Sequence, residues 1–338
     1  MTRALVTEPG VAHSTRVEQV VAGDGEVLLR PIEVGVCGTD REIAHGLFGE
    51  APAAGAPLVL GHEVLAVVAQ DGGGFSEGDL VTATVRRPCG HCLACGEGAP
   101  DSCLTGDYCE RGITRLNGFA CDLLGEDGDQ LIPVPRSLDR LGVLAEPTSI
   151  CERALRHARA IGGRQPWQLR RALVLGAGAI GTLTTLLLRL QGIETWVASL
   201  EPDAPLVEAA GARYARVDDV GELGAFDLVV ECAGNAQLMA DALGLLRRSG
   251  VACLIGIDGR NQAVTLDGRV LALDTVVEGR VVFGSVNAHR QDWLAAVEDL
   301  ARIDPGLLRD LVGLRVPLEQ FEDAFAFRGG KATLVLDG

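Results

Sequence analysis

The sequence of 338 residues lacks an apolar run that could cross a bilayer. Its longest apolar stretches, such as 171–175 and 182–190, are far shorter than the roughly 20 residues that a membrane-spanning helix needs. The N-terminal residues also lack the sustained apolar segment and small-residue cleavage site of a secretory signal. We therefore expect a cytoplasmic protein without a membrane segment.

Positive charge is scarce as well. The chain has 30 basic and 46 acidic side chains, which gives a formal net charge of −16. Lysine is nearly absent, because Lys331 is the only one among the basic residues. A surface of this kind repels phosphates at long range, so we expect no nucleic-acid partner.

What is present indicates two domains in a globular chain of the α/β class. Residues 1–150 are rich in short β-type stretches separated by glycine and proline, which predicts a β-rich barrel. From residue 171, strand and helix patterns alternate, which predicts a doubly wound parallel sheet. We predict one domain of residues 1–150 and 287–338 and a second domain of residues 151–286. The main elements expected are strands at 26–34, 59–68, 80–85, 131–134, 172–175, 194–199, 226–231, 251–255, 281–286 and 332–336, and helices at 149–161, 179–191, 235–248 and 291–302.

The first motif is a glycine-rich turn between an apolar strand and an apolar helix. Gly176, Gly178 and Gly181 have the Gly-x-Gly-x-x-Gly spacing of a dinucleotide-binding turn, and Ala179 and Ile180 begin the helix that would face the pyrophosphate. A glycine turn that binds no nucleotide is the alternative. The loops that would flank the nicotinamide follow two later strands and contain Cys232, Ala233, Gly234 and the segment Gly256–Asp258.

The end of the second nucleotide-domain strand discriminates between NAD and NADP. Ser199 occupies the expected acidic position, and Glu201 follows two residues later, where it could accept bonds from the ribose hydroxyls. No arginine stands there to bind a 2′-phosphate. We therefore predict a preference for NAD over NADP.

Four closely spaced cysteines form the second motif. Cys89, Cys92, Cys95 and Cys103 make a Cys-x2-Cys-x2-Cys-x7-Cys array, which predicts a closed tetrahedral zinc site that orders its loop. An iron-sulfur cluster and free thiols are the alternatives.

A third constellation joins two separate stretches. Cys37, Thr39 and Asp40 follow one β-type stretch, and His62 with Glu63 lies on another. Cysteine, histidine and carboxylate are zinc donors, but the residues alone leave open whether they meet or merely pack.

These motifs, in this order, resemble the zinc-dependent medium-chain dehydrogenase/reductase superfamily over essentially the whole chain. That resemblance implies a GroES-like catalytic domain and a Rossmann domain. Several segments are similar more specifically to archaeal-type glucose dehydrogenases: 37–43, 85–89, 109–113, 145–149 and 284–287.

The resemblance implies a catalytic zinc, the second zinc of the chain, bound by Cys37 and His62. Glu146 would be a further carboxylate that reaches the metal or the sugar, and Glu63 would lie in or beside the coordination sphere. Three protein ligands with one open position suit catalysis. Asp40 would hold His62 in the correct tautomer, and a surface turn is its alternative role.

The implied reaction oxidises β-D-glucose at C1 to gluconolactone, with zinc as Lewis acid and the nicotinamide as hydride acceptor. Thr39 would relay the proton. Glu110, Glu146 and Asn287 would bind sugar hydroxyls, and Ser285 and Asn287 would also contact the cofactor. A solvated carboxylate is the alternative for Glu110, and a simple cap for Asn287.

One departure widens the substrate class. Many members of the subfamily have a histidine shortly before the 284–287 segment, where this chain has Val276–Gly279. Another polyol, a cyclitol or a secondary alcohol is therefore the second candidate, and a catalytically silent binding protein is the third. The resemblance also implies a homodimer or homotetramer.

Overall fold

The computed structural model describes residues 1–21, 25–257 and 263–336. Its strands are β1 (Thr2–Thr7), β2 (Arg16–Val20), β3 (Val27–Val36), β4 (Leu58–Val59), β5 (Glu63–Val68), β6 (Leu80–Ala83), β7 (Arg86–Arg87), β8 (Cys109–Arg111), β9 (Arg115–Leu116), β10 (Leu124–Glu126), β11 (Leu131–Pro133), β12 (Arg171–Leu175), β13 (Glu194–Ser199), β14 (Arg213–Arg216), β15 (Phe226–Glu231), β16 (Leu246–Leu254), β17 (Val281–Gly284), β18 (Leu314–Pro317) and β19 (Ala332–Val335). Its α-helices are α1 (Gly38–Ala44), α2 (Leu93–Gly96), α3 (Ala145–Gly162), α4 (Ala179–Leu190), α5 (Pro205–Ala209), α6 (Ala236–Asp241), α7 (Thr275–Glu278), α8 (Arg290–Leu300), α9 (Pro305–Leu311) and α10 (Phe321–Ala326).

The chain divides into two compact units. The first contains Met1–Ser149, Asn287–Ala301 and Val312–Gly338, and the second contains Ile150–Val286 and Arg302–Leu311. The division differs from the expected domain boundaries at Ile150, which falls in the second unit, and at residues 302–311. Residues 302–311 belong to the second unit because α9 packs against α5 there.

The first unit is built on a seven-stranded sheet of order β11-β6-β5-β3-β19-β18, in which β10 also pairs with β3. Two three-stranded sheets, β2-β1-β4 and β7-β8-β9, complete it. Among the described residues no ladder joins β11 to β18. The first unit is thus β-rich, as expected, with its strands arranged in three sheets in the described part of the chain.

The sheet order brings three segments that are distant in sequence to the same end of three neighbouring strands. β3 runs antiparallel to both β5 and β19, with Gly35 paired to Glu63 and Val36 paired to Ala332. The end of β3 therefore meets the beginnings of β5 and β19. The residues just beyond these strand ends, Cys37, His62 and Lys331, gather at the same place.

The expected strand at 59–68 is interrupted, and the interruption matters for the site. Pairing stops after Val59 and resumes at Glu63, because Gly61 adopts a left-handed conformation with φ of +91°. A Cβ atom at Gly61 would lie 2.7 Å from Val34 Cγ1 and 3.0 Å from the Ala120 backbone nitrogen. Only glycine fits this bend, which leads directly into His62.

The second unit contains a parallel sheet of order β14-β13-β12-β15-β16-β17. Numbered by chain order within the unit, this is the 3-2-1-4-5-6 order of the dinucleotide-binding fold. The prediction of a doubly wound parallel sheet is therefore confirmed. Strand β12 and strand β15 are neighbours at the point where the strand order reverses, which is where such sheets bind ligands.

The helix expected at 235–248 is wrong in its second half. Helix α6 ends at Asp241, a short 3-10 turn covers Ala242–Leu245, and β16 begins at Leu246. Leu246 is fully buried and pairs with Phe226 of β15. Burial in the sheet outweighs the helical spacing of the apolar residues.

In the described part of the chain, no helix combines the length and apolar character that crossing a membrane requires.

Candidate zinc and nucleotide sites

The first half of the candidate catalytic site is fixed by the start of helix α1. Cys37 is its N-cap, and its Sγ accepts a bond from the Thr39 backbone N–H at 3.2 Å. The Asp40 carboxylate accepts from the Cys37 backbone N–H at 2.9 Å. This reciprocal capping box holds the sulfur of Cys37 and the carboxylate of Asp40 in fixed positions.

The bend before β5 brings His62 against both of these groups. Its Nε2 atom lies 3.2 Å from Cys37 Sγ, and its Nδ1 atom lies 3.4 Å from Asp40 Oδ1. The ring can thus use Nε2 toward a metal while Asp40 faces the opposite nitrogen. This is the arrangement that fixes the tautomer of a ligating histidine.

The electrostatics around His62 favour positive charge. Burial lowers the pKa of the imidazole, but the charges of Cys37 and Asp40 outweigh it and raise the pKa of His62 well above its usual value. Burial would raise the pKa of Asp40, yet His62 and the Cys37 N–H hold it below its usual value. The negative charges of Cys37 and Asp40 would stabilise either a proton on His62 or a metal cation beside it.

Glu63 is occupied by the only lysine of the chain. Lys331 Nζ donates to Glu63 Oε1 at 2.6 Å and to Oε2 at 2.7 Å, and both side chains are buried. The carboxylate lies over the backbone of Gly35, where a Cβ atom would collide with Glu63 Oε2. Gly35 and Lys331 thereby fix where the Glu63 carboxylate lies.

Glu146 lies in the first turn of helix α3 and is also buried. Burial, followed by the charge of Glu63, raises the pKa of Glu146 to about 8. A nearby cation would relieve both effects. This is the electrostatic setting of a carboxylate that binds a metal.

The donor set fits a zinc ion. Cys37, Asp40 and His62 each place one ligand atom within 4.8 Å of the others, and His62, Glu63 and Glu146 do the same. His62 is common to both groups. One sulfur, one imidazole and buried carboxylates are the donors that Zn²⁺ prefers.

The four-cysteine loop also fits zinc. The ligand atoms of Cys89, Cys92, Cys95 and Cys103 all lie within 4.8 Å of one another. The Thr105 hydroxyl is the main cause that lowers the pKa of Cys89 to about 5, whereas burial raises that of Cys95 to about 12. All ten cysteines lie in the described part of the chain and none forms a disulfide. The sulfurs therefore remain available as thiolate ligands.

The expected sugar contacts Glu110 and Asn287 are brought together. Asn287 Nδ2 donates to Glu110 Oε1 at 2.9 Å, and Arg86 Nε donates to the same oxygen at 3.0 Å. Asn287 has a left-handed backbone, and its Oδ1 accepts from the Ala288 N–H at 2.7 Å. It is not the cap of α8, since His289 takes that position.

The glycine-rich turn follows β12 as expected. Gly176 has a φ of +110°, and a Cβ atom there would lie 3.1 Å from the Ala233 backbone nitrogen. A Cβ atom at Gly181 would collide with the Gly176 carbonyl oxygen. Gly178 is the N-cap of α4, and among the described residues no side chain caps this helix and nothing lies within 4 Å of a Cβ atom placed at Gly178, so the first turn at Ala179 and Ile180 is open. The turn therefore has the shape of a phosphate-binding helix start.

The neighbouring loops are closely packed. Glu231 Oε1 accepts from the Ala233 and Asn235 N–H groups, and a Cβ atom at Gly256 would collide with the Gly234 nitrogen. Burial raises the pKa of Cys232 well above its usual value, as for a packed thiol. Ser285 Oγ accepts from Arg153 Nη1 at 3.4 Å. Asp258 lies outside the described residues.

At the end of β13, the expected ribose contacts form a small network. The Ser199 hydroxyl is 2.7 Å from the Tyr214 hydroxyl, and it is the main cause that lowers the pKa of Glu201. Strand β14 places Arg216 directly opposite Ser199. Strand β13 itself therefore has no arginine for a 2′-phosphate, but parallel pairing brings Arg216 from the next strand to its end.

Three residues that the structure places at these sites have no role predicted from the sequence. Arg86 lies in the segment 85–89, which only the family resemblance singles out, and Arg216 is separated from Ser199 by a helix and a strand. Composition could have drawn attention to Lys331, because it is the single lysine of a chain rich in arginine. No sequence feature indicates that its partner is Glu63, which lies 268 residues away.

Comparison with known proteins agrees with the architecture. The family model for the alcohol dehydrogenase GroES-like domain matches residues 23–136, and the model for the glucose dehydrogenase C-terminus matches residues 139–337. The GroES-like character expected for the first unit is thereby confirmed.

Relatives and solved structures agree with these matches. Glucose 1-dehydrogenase of Methanocella arvoryzae is 39% identical over 95% of both chains, and that of Thermoproteus tenax is 38% identical over 99% of both. Glucose dehydrogenase of Haloferax mediterranei, solved in complex with NADP, Zn and gluconolactone, has a TM-score of 0.92 and 31% identity over 99% of both chains. As the resemblance predicts, the chain belongs to the glucose dehydrogenase family of zinc-dependent medium-chain dehydrogenases/reductases.

Proposed function

We propose that this protein is a zinc-dependent sugar dehydrogenase that oxidises an aldose, D-glucose at C1 first, to the lactone with hydride transfer to NAD(P)⁺. The observation that carries the proposal is that His62 shares one cluster of ligand atoms with Cys37 and Asp40 and another with Glu63 and Glu146, in the same unit as the Glu110–Asn287 pair. The Methanocella relative, which is 39% identical over 95% of both chains, is a glucose 1-dehydrogenase. The Haloferax enzyme was solved in complex with gluconolactone.

The residues of the chain divide the chemistry among them. Cys37, His62 and Glu146 would hold a zinc ion, which supplies Lewis acidity to the C1 hydroxyl of the sugar, while NAD(P)⁺ supplies the hydride acceptor. Asp40 keeps the proton of His62 on Nδ1, so that Nε2 keeps its lone pair. The Thr39 hydroxyl takes the proton released from the sugar and passes it toward solvent. Its backbone N–H holds Cys37 Sγ at the same time.

A sugar suits this unit because it needs several polar partners. Glu110 Oε1 is occupied by two donors, and no hydrogen bond from the described residues reaches Oε2, which leaves that oxygen for a substrate hydroxyl. Another polyol, a cyclitol or a secondary alcohol is the second candidate. Val276–Gly279, where the resemblance to archaeal-type glucose dehydrogenases implies a histidine, is the feature that favours it.

A panel of aldoses, alditols and secondary alcohols with NAD⁺ and NADP⁺ tests the proposal. We expect turnover of D-glucose to gluconolactone. Replacing Cys37 by serine should lower kcat/KM by about a thousandfold, since several kcal/mol of Lewis-acid stabilisation are lost. Failure to oxidise any aldose would sink the glucose assignment, and full activity of Cys37→Ser would refute the catalytic zinc.

Metal content separates the two zinc sites. We propose two zinc ions per chain, one in the four-cysteine loop and one at Cys37, His62 and Glu146. Cys103→Ser is the matched control for Cys37→Ser, because each removes one thiolate from one site. Each variant should lose one equivalent of zinc, measured by atomic absorption. A wild-type protein with one zinc would favour the silent binding protein.

We propose a preference for NAD over NADP. The support is the Glu201 carboxylate beside Ser199, which would accept a bond from the ribose hydroxyls and repel a 2′-phosphate. Arg216 is the nearby cation that opposes this preference.

We further propose a homodimer, or a tetramer built from it, that acts in the cytoplasm. Among the described residues β17 pairs on one side only, with β16. Of the 18 exposed large hydrophobic residues in the described part, eight lie between residues 264 and 286, the stretch of sequence that contains β17. An exposed apolar edge of this kind suits pairing with a second copy. Ten free cysteines suit a reducing compartment.

A further inference from the structure

The guanidinium of Arg86 is buried between the four-cysteine loop and the candidate sugar residues. Arg86 is 6% exposed, and its Cζ atom lies 3.7 Å from the centre of the Tyr108 ring. Arg86 on β7 and Glu110 on β8 are direct register partners. The pairing sets the two side chains side by side.

The hydrogen bonds of Arg86 lead in two directions. Nη1 donates to the Asp101 carbonyl oxygen at 3.1 Å, and Nε donates to Glu110 Oε1 at 3.0 Å. Asp101 belongs to the short turn Pro100–Ser102, which directly precedes the ligand Cys103. Because the first acceptor is backbone, the path of the cysteine loop determines where the guanidinium lies.

Glu110 is therefore fixed from two sides. Its Oε1 atom accepts from Arg86 and from Asn287, which restricts the carboxylate to one orientation. A carboxylate held by a planar guanidinium is positioned more rigidly than one held by a point charge. Its remaining oxygen can then accept from a sugar hydroxyl without first giving up rotational freedom.

We propose that Arg86 is a positioning residue for the sugar, and that it transmits the order of the zinc-binding cysteine loop to Glu110. The loop then controls sugar affinity although none of its cysteines touches the sugar. This inference rests on the proposed function, because it takes Glu110 as a sugar contact.

The test compares Arg86→Met, which removes both hydrogen bonds, with Arg86→Lys, which keeps the charge. We expect Arg86→Met to raise the KM for glucose and the Kd for gluconolactone by about 10- to 100-fold, with the KM for the cofactor within about twofold. Arg86→Lys should recover part of the loss. Isothermal calorimetry with gluconolactone gives the Kd without turnover, and Arg86→Lys serves where Arg86→Met does not fold.

Two further measurements separate positioning from general damage. In Glu110→Gln, adding Arg86→Met should have little further effect, because the two residues act as one unit. Cys103→Ser should raise the gluconolactone Kd in the wild-type background, but hardly at all in the Arg86→Met background.

Unchanged gluconolactone binding in both Arg86 variants would overturn the proposal, as would an equal rise in the KM values for sugar and cofactor. A wild-type protein inactive on every aldose would sink the proposed function instead. If the wild-type protein oxidises glucose and the Arg86 variants have unchanged sugar affinity, only the role proposed for Arg86 is refuted.

Discussion

Lys331 and Glu63 illustrate how much one buried pair can decide at the residue scale. Both side chains are almost fully buried, and the ammonium bridges both carboxylate oxygens. An ion pair of this kind adds little net stability by itself, but removal of one partner strands the other charge in a poorly solvated place. The pair also keeps Glu63 engaged beside the proposed ligands His62 and Glu146.

We predict that Lys331→Met will destabilise the protein more than any exposed substitution. Breaking a buried pair costs about 3–5 kcal/mol, which lowers the Tm by roughly 6–20 °C for a unit of this size. Calorimetric melting of the zinc-loaded protein measures the shift. Lys331→Arg, which keeps the charge, should lose less.

The double variant Lys331→Met/Glu63→Gln provides the control for this prediction. It removes both charges together and should recover part of the lost Tm, as a coupled pair does. A Tm of Lys331→Met equal to that of the wild type would show that the ion pair does not contribute to the stability of the fold.

Glu201 gives a second prediction at this scale. Glu201→Ala should raise the ratio of kcat/KM with NADP⁺ to that with NAD⁺ about five- to tenfold, because an exposed carboxylate repels a 2′-phosphate by about 1 kcal/mol. Arg216→Ala should move the ratio the opposite way. Steady-state kinetics with both cofactors measures it, and a ratio that stays constant in both variants would remove the basis for the NAD preference.

At the scale of elements, the nucleotide turn shows what a contiguous motif can specify. The roles of Gly176, Gly178 and Gly181 follow from local spacing, since the strand, the turn and the helix are consecutive in the chain. The helix expected at 235–248 shows the opposite case. Its second half joins β16, because Leu246 pairs with Phe226, and no local pattern announces that partner.

Two alanine substitutions in this turn should have different consequences. Gly181→Ala places a methyl group against the Gly176 carbonyl and should cost roughly 1–3 kcal/mol by overpacking between α4 and β12. Gly178→Ala has open space and should change stability by less than about 1 kcal/mol, while its methyl group obstructs the pyrophosphate.

Melting curves and fluorescence titration with NADH and NADPH distinguish the two effects. We expect Gly178→Ala to weaken cofactor binding with a nearly unchanged Tm, and Gly181→Ala to lower the Tm. If Gly178→Ala bound both cofactors as tightly as the wild type, the pyrophosphate would not pass over this turn.

For the whole molecule, the exposed edge at β17 predicts the state of assembly. Val282→Glu introduces charge on β17 itself, and Val276→Glu introduces it in the exposed apolar stretch just before this strand. Each should shift the protein from dimer or tetramer to monomer in sedimentation velocity. Val21→Glu, on an exposed valine far along the chain from this edge, is the matched control. An unchanged mass in both edge variants would place the interface elsewhere.

The sequence by itself determined the features whose parts are close in the chain. The four cysteines and the glycine turn each lie within a few residues, so spacing alone predicts their chemistry. The alternation of strands and helices likewise predicts the parallel sheet. Resemblance, rather than spacing, linked Cys37 to His62.

Only the tertiary structure decided the contacts between distant segments. Lys331 reaches Glu63 across 268 residues, and Asn287 reaches Glu110 across 177. Such pairs depend on strand order and register, and a shift of one residue would turn the side chains to the opposite face of the sheet. The antiparallel pairing of β3 with β5 and β19 therefore determines which side chains meet at the candidate zinc site, and no local pattern encodes it.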